Sequence, residues 1–431
     1  MGETCFVGCT PGLEEALGVE LQALGVRATV TTGGCEVTGQ AQSFVRLNVR
    51  SRLASRVLLR LGHARTPAAL ASVPVRAFVG NEAATLSVTT AGRVTPPAEL
   101  WRREAERCWR LNATGPSAAP DGPRAQPSSA ESARSHTRGR VHDGGAERPQ
   151  REPDEGRRGV GFAPRPAGLH DTPREASTAQ TRGPPGLAGS EDEAPAMAAA
   201  PLEVSLRLDA QGALVSIDTS GELLHVRGAR QETGRAPLRE TLASGVLKLC
   251  GWAPGEPLWD VMCGSGTFLL EAAEQALGLQ PGRNRHFAFE RFESVSADVV
   301  SQARAPGPAV ATWLRGSDLN AGALGVARRN ARRAGVLDAL QLERLDATAL
   351  RRPEVGPGLV LANLPYGKRV GARFELATLY SQVGRALRAS LAGWRFAFLV
   401  QDGADALGLE VARSYRVKNG GLSCLVVTGR L

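Results

Sequence analysis

Four short segments hold hydrogen-bond acceptors in patterns that can do chemistry. In Ala362-Asn-Leu-Pro-Tyr-Gly-Lys-Arg369, a proline-bound turn stiffens the Asn363 side chain and the Leu364 carbonyl, so both can accept from one planar amino group. That arrangement suits methylation of an aromatic amine, whose lone pair is delocalised into its ring. Two acceptors orient the amine hydrogens and favour rehybridisation as an electrophilic methyl approaches, so no strong base is required. Pro365 sets the turn, Tyr366 can stack on a base, and Lys368 or Arg369 can meet an adjacent phosphate. The bland alternative is a polar turn. In Asp260-Val-Met-Cys-Gly-Ser-Gly-Thr-Phe-Leu-Leu270, Gly264 and Gly266 let the backbone turn sharply and approach a ligand closely, because a Cβ would block the gap. The segment matches neither the three-glycine dinucleotide fingerprint nor the phosphate loop with its Lys-Thr, which counts against hydride and phosphoryl transfer. Asp318 and Asp346 complete the set: the first can accept both hydroxyls of a ribose and the second an adenine amine, although either alone could simply cap a helix.

These acceptors need strands that end together. From Pro237 onward, strand candidates at 257–262, 312–317, 340–345, 358–362 and 395–400 alternate with helices that begin near Thr267, Ala321 and Phe374. The pattern predicts a doubly wound parallel sheet with both faces covered, and puts Asp260, Asp318, Asp346 and Asn363 at strand ends. At the C-terminus, residues 415–418 and 422–428 flank Asn419-Gly420-Gly421 as a hairpin, so one antiparallel strand is expected to end the sheet.

The first half reads as α+β. Leu13, Ala16, Leu17, Leu21 and Leu24 share a helix face behind Thr10-Pro11, with Gly25 at the C-cap. Residues 47–61 read as an amphipathic helix carrying Arg50, Arg52, Arg56 and Arg60, either a solvated face or a phosphate contact. Residues 84–90 alternate as a strand; Trp101, Ala105, Cys108 and Trp109 share a helix face, with the tryptophans read as core; 202–208 and 213–217 form a hairpin. Between these lies a stretch, 113–200, with 12 Pro, 12 Gly, a single aromatic (Phe162) and no isoleucine. Such a segment cannot bury enough apolar area to offset its ordering entropy, and it reads as a disordered insert within a domain.

The whole chain of 431 residues carries a net charge of +9, and the insert is nearly neutral, so the basic character belongs to the folded parts and favours a polyanionic partner. No apolar run is long enough to span a membrane and no signal peptide opens the chain, which points to a cytoplasmic protein. The seven cysteines never form a Cys-x-x-Cys pair and read as reduced thiols without a metal.

The segments 260–268 and 363–366 resemble the cofactor loop and the Asn-Pro-Pro-Tyr motif of class I S-adenosyl-L-methionine-dependent amino-methyltransferases. More narrowly, residues 218–228 and 233–240, together with Leu379-Tyr-Ser-Gln-Val-Gly384, Gly393-Trp394 and Cys9-Thr-Pro-Gly-Leu-Glu-Glu15, resemble the bacterial THUMP-containing guanine-N2 RNA methyltransferases. The resemblance implies a ferredoxin-like unit (1–65), a THUMP domain in two parts (66–112 and 201–232) and a Rossmann-like methyltransferase domain (233–431) whose seventh strand is antiparallel. It implies S-adenosyl-L-methionine held by Pro237, Asp260, Met262, Cys263, Gly264, Gly266, Thr267, Asp318, Leu319, Asp346, Ala347 and Asn363, with Asn363, Leu364, Pro365 and Tyr366 receiving the base. Leu364 departs from the more usual proline of that motif. His225, Arg227 and Arg230 are candidate RNA contacts, with His225 reading equally as a packed, hydrogen-bonded residue. The implied substrate is a guanine in RNA, 23S rRNA first and tRNA second. A noncatalytic RNA-binding or ribosome-assembly factor, and methylation of DNA adenine or protein glutamine, are the competing readings.

Overall fold

The computed structural model describes residues 2–92, 94–111, 201–230, 232, 238–365 and 373–431, and of 373 and 374 the backbone alone. The expected insert, Pro237 and Tyr366 therefore lie outside the described residues, as do Lys368 and Arg369.

The first half runs β1 (Glu3–Cys9), α1 (Glu14–Ala23), β2 (Arg27–Thr31), β3 (Gly34–Gly39), α2 (Ser43–Arg50), β4 (Ala54–Ala64), α3 (Arg76–Val79), β5 (Ala84–Thr90), α4 (Ala98–Trp109), β6 (Leu202–Asp209) and β7 (Gly212–Asp218). Its strands form one sheet in the order β2-β3-β1-β4-β7-β6-β5. β5 and β6, on either side of the insert, pair in parallel from Ala84↔Leu202 to Thr90↔Leu208, so the chain ends that flank the insert are bound into one sheet. Trp101 and Trp109 are buried on α4, and Trp109 Nε1 donates to the Leu70 carbonyl at 3.2 Å, as expected of core residues.

The expected helix over 47–61 is wrong beyond Arg50. The chain breaks at Ser51, whose Oγ accepts from Ala54 N at 3.0 Å, and continues as β4 between β1 and β7. Leu53, Ala54 and Val57 fit a helical period, but Val57 and Leu59 equally fit a strand's alternation, and two open sheet edges decide between them. The four arginines are engaged by protein: Arg50 donates to the carbonyls of Gln302 and Ala303, Arg52 pairs with Glu271 and Glu274, Arg56 with Glu203 and Asp218, and Arg60 with Glu36. Neither a free helix face nor a phosphate contact is what they form.

The second half comprises α5 (Glu240–Leu249), β8 (Leu258–Asp260), α6 (Thr267–Ala276), α7 (Ala297–Arg304), β9 (Leu314–Asp318), α8 (Ala321–Ala334), β10 (Gln341–Arg344), β11 (Leu359–Asn363), α9 (Arg373–Ser390), β12 (Arg395–Val400), β13 (Val411–Asn419) and β14 (Leu422–Arg430). The strand order is β10-β9-β8-β11-β12-β14-β13, and the first five strands are parallel. β14, the seventh in sequence, is antiparallel to both neighbours. It does not end the sheet as expected; it inserts between β12 and β13, leaving β13 at the edge. The hairpin turn only requires β13 and β14 to be adjacent, and the open edge of β12 takes the more apolar of the two.

Alternation along the strands divides their side chains between two cores. Leu258, Leu359, Leu361 and Leu399 join one apolar cluster with α5, α6 and the first half of the chain, whereas Trp259, Val261, Val360, Phe398 and Val400 pack with α9. The first face also holds a buried ionic cluster. Glu271 on α6 accepts from Arg52 and Arg227 at 3.2 Å each, and Glu274 from Arg283 at 2.9 Å. Ser244 on α5 also donates to Glu271. Burial opposes charge on Glu271, but the Arg227 and Arg52 guanidinium groups outweigh it and hold the carboxyl below its ordinary value. No helix among the described residues is long and apolar enough to cross a membrane.

Removing one partner of this cluster leaves buried guanidinium charge uncompensated. Glu271→Ala is therefore expected to lower the unfolding free energy by about 3–5 kcal/mol, read as a reduced urea midpoint.

Candidate active site

β8 is the point from which the chain winds outward in both directions, to β9 and β10 on one side and to β11 and β12 on the other. The carboxyl ends of β8 and β11 therefore leave a crevice that no crossover covers, the usual ligand position in such sheets. A cavity of about 470 Å³ opens there, within the range of small-molecule sites.

The cofactor-loop candidates meet in it. Asp260, Met262, Cys263, Gly264 and Thr267 line one wall, Asp318 and Leu319 a second, Asp346 and Ala347 a third, and Asn363 and Pro365 a fourth. The loop after β8 is tied to the end of β9: Cys263 N donates to the Ser317 carbonyl at 2.9 Å and Gly264 N to Asp318 Oδ2 at 2.8 Å. Gly264 adopts φ +55°, and a Cβ there would stand in open space rather than against protein.

Among the described residues Asp318 accepts from two backbone donors, the second being Asn320 N at 2.8 Å on Oδ1. A carboxylate offers about four acceptor directions, so a diol can still be bound. Helix capping is not its task, because Asn320 caps α8 through Gly322 N and Ala323 N. Asp346 Oδ1 holds a turn by accepting from Thr348 N and Oγ1, both at 2.8 Å. Asp260 is almost fully buried and accepts from Met262 N at 3.3 Å. Burial pushes its carboxyl well above the usual carboxylate range, and the charge of Asp318 adds to the rise. The Cys263 thiol is likewise pushed up by burial and then by both acids, which disfavours the thiolate a nucleophile would need.

Asn363 closes β11, and its Oδ1 is buried without a hydrogen-bond partner among the described residues. An orphaned acceptor of this kind on a cavity wall awaits a donor from a ligand. The acceptor set and this orphan together fit an adenosine-bearing cofactor beside an amino group.

Neither Gly266 nor the side chain of Leu364 lines the cavity. Gly266, at φ +85°, starts α6 in a left-handed conformation that favours glycine, and a Cβ on it would meet Leu270 of α6 and Ala327 of α8 at 3.1 and 3.2 Å. The Leu364 side chain is fully buried in the core shared with α9. Sequence reasoning missed Leu238, Val261, Ser265, Phe268, Thr348, Leu379 and Gln382 on the walls. Most are chain neighbours of named residues, and Leu379 and Gln382 belong to a segment singled out without a role.

Of the candidate RNA contacts before the second half, the two arginines are engaged within the protein. Arg227 is buried, and donates to Glu271 at 3.2 Å and to the carbonyls of Leu224 and Arg52 at 2.9 Å; Arg230 pairs with Glu240 at 2.9 Å and donates to the Leu238 carbonyl at 2.7 Å. His225 is half-buried, and burial together with Arg239, Arg227, Arg230 and Arg285 lowers its pKa from 6.5 to about 4.

With this cavity, the fold and site define a class I methyltransferase architecture with a nucleoside-type pocket at the switch point. Comparison with known proteins narrows it. Residues 227–428 match the family described as RMKL-like, methyltransferase domain, and residues 4–58 match the RlmL ferredoxin-like domain. The second half of the chain is thus similar to the RMKL-like methyltransferase domain family, and the start of the first half to the RlmL ferredoxin-like domain. Ribosomal RNA large subunit methyltransferase K/L of Photobacterium profundum is 37% identical over 241 residues, 53% of this chain and 34% of that protein. The chain spans about a third of the length of that curated relative. Among solved structures, SMU.472 complexed with SAH shares the fold at TM-score 0.69 and 20% identity, covering 100% of this chain and 98% of that one. TrmN from Thermus thermophilus does so at TM-score 0.60 and 18% identity, with both chains covered fully.

A histidine kept neutral by its surroundings favours folding less once the unfolded chain can bind a proton. Stability is therefore full above pH 6.5 and falls as pH drops from there toward about 4. Between pH 6.5 and 5 the loss is expected to be about 1 kcal/mol or less, once solvent screening of this half-buried ring is allowed for. His225→Asn should remove that part of the slope in urea titrations at the two pH values.

Proposed function

We propose that this chain transfers a methyl group from S-adenosyl-L-methionine to the exocyclic amine of a guanine in RNA, with large-subunit ribosomal RNA as the substrate. The observation that carries the reading is Asn363 Oδ1, buried and unpartnered among the described residues on the wall that faces the acids of β8 and β9. The relative named as a large-subunit ribosomal RNA methyltransferase supports the choice of RNA, and the neighbour complexed with SAH supports the cofactor.

When bound, S-adenosyl-L-methionine supplies an electrophilic methyl group on a sulfonium. Asp318 would hold the ribose hydroxyls with Leu319 beside the adenine, Asp346 and Ala347 the adenine edge, and Asp260, Met262, Cys263, Gly264 and Thr267 the remainder. Asn363 Oδ1 accepts one amine hydrogen and the Leu364 carbonyl the other, which directs the nitrogen lone pair out of the ring plane. The methylated amine would shed one proton, for which water suffices because the Asn363 amide and the Leu364 carbonyl accept hydrogen bonds without taking the proton. Asn363 is neutral and acts by orientation, so the chemistry asks for no group with a strongly raised basicity. Tyr366 and Pro237 retain their expected roles at the base and at the methionine end. The partition into a ferredoxin-like unit, a split THUMP domain around the 113–200 insert, and the methyltransferase domain belongs to the same reading.

Incubation with labelled S-adenosyl-L-methionine and unmodified total RNA, followed by nucleoside mass spectrometry, tests the proposal. N2-methylguanosine in the large ribosomal fraction is expected; label in tRNA would favour the tRNA alternative, and cofactor binding without transfer a noncatalytic assembly factor. Asn363→Ala should abolish turnover while cofactor affinity stays within about three-fold, because the amide meets the base rather than the ribose. Asp318→Ala should raise the cofactor Kd by at least about ten-fold, the equivalent of one or two lost charge-assisted hydrogen bonds, in equilibrium binding by calorimetry.

A further inference from the structure

The segment Leu379-Tyr-Ser-Gln-Val-Gly384 on α9 has no part in the chemistry above, yet each of its larger residues has a defined place. Leu379 and Gln382, three apart, face the cavity. Tyr380 and Val383 are buried in the core behind it. At Gly384 a Cβ would come within 1.8 Å of the Leu407 carbonyl oxygen, so α9 lies in backbone contact with the turn at Ala404–Leu407 and its rotation about its axis is set.

From that fixed helix, Tyr380 Oη donates to the Pro365 carbonyl at 2.9 Å. A buried tyrosine hydroxyl requires a partner, and here the partner is the backbone of the acceptor corner, two residues beyond Asn363. The corner has a second tie: Leu364 N donates to the Leu399 carbonyl at 3.1 Å on β12. A proline at 364 would have no N–H for that bond. Among the described residues two hydrogen bonds thus tie the corner, one to β12 and one to α9.

We infer that Tyr380 is a positioning residue for methyl transfer, bracing the Asn363–Pro365 corner through the Pro365 carbonyl. The inference rests on the methyl-transfer reading for its kinetic consequence but not for the brace itself. Without the hydroxyl, the corner keeps its residues and its cavity wall but loses its tie to α9.

The test compares full-length wild type with Tyr380→Phe by amide hydrogen exchange and by steady-state kinetics. Exchange at the Leu364 amide is expected to accelerate about ten-fold, the effect of losing one net hydrogen bond, with the Phe398 amide of β12 unchanged. kcat is expected to fall about 10- to 100-fold with KM for RNA and Kd for the cofactor within about two-fold, the split that a misplaced acceptor produces and a general loss of stability does not. Unchanged exchange at Leu364 overturns the brace, whether or not the protein is active. Equal kcat in an active wild type and in Tyr380→Phe overturns the positioning role. Faster Leu364 exchange in a protein whose wild type transfers no methyl group to any RNA supports the brace and sinks the methyl-transfer reading instead.

Discussion

A buried carbonyl oxygen with no donor costs on the order of 1–3 kcal/mol, and Asn363 Oδ1 is in that state among the described residues at the end of β11. Only a framework rigid on every side can keep such a group from turning inward to a protein partner. Here the parallel register of β11 with β8 and β12 sets the strand end, the Leu364 amide continues the ladder onto β12, and the Pro365 carbonyl is held from α9. The unsatisfied acceptor is thus stored at a point in the sheet where a ligand can satisfy it.

The cofactor side of the cavity depends on a complementary constraint. The loop after β8 is stitched to β9 through Gly264 and Asp318, so the acid proposed for the ribose also shapes the turn that faces it. α6 leaves that loop and carries Glu271 and Glu274 into the buried ionic cluster with Arg52 and Arg227. The first half of the chain is in this way bonded to the helix that begins at the cofactor loop. Buried charges in mutual contact tolerate little displacement, because each lost partner leaves an uncompensated charge in a poorly polarisable interior. The relation between the two sheets is accordingly held by directional bonds as well as by the shared apolar core.

Much of the second half was legible in the sequence because its strands are short apolar runs between glycine and proline signals, and because each site residue stands where such a run stops. Asp260, Asp318, Asp346 and Asn363 could be placed at strand ends from spacing alone, and all four line one cavity. Residues 47–61 failed for the opposite reason. Their apolar positions satisfy both periods, and the choice was made by β1 and β7, whose unpaired edges are distant in sequence. Arg227 and Arg230 looked like free cations since their carboxylate partners, Glu271 and Glu240, cannot be assigned from sequence separation. At Gly266 the local φ of +85° and the close approach of Leu270 and Ala327 were not legible from the pattern of glycines.

The sequence by itself determined the strand–helix alternation, the glycine turn, the acceptors at the strand ends and the neutral amide corner, because each is a property of residue type over a few positions. Tertiary structure alone decided which strand is the neighbour of which, that β14 slips between β12 and β13, and that Tyr380 reaches the Pro365 carbonyl. Those outcomes depend on burial and on hydrogen bonds between residues far apart in the chain, where local pattern carries no information about which competing partner wins.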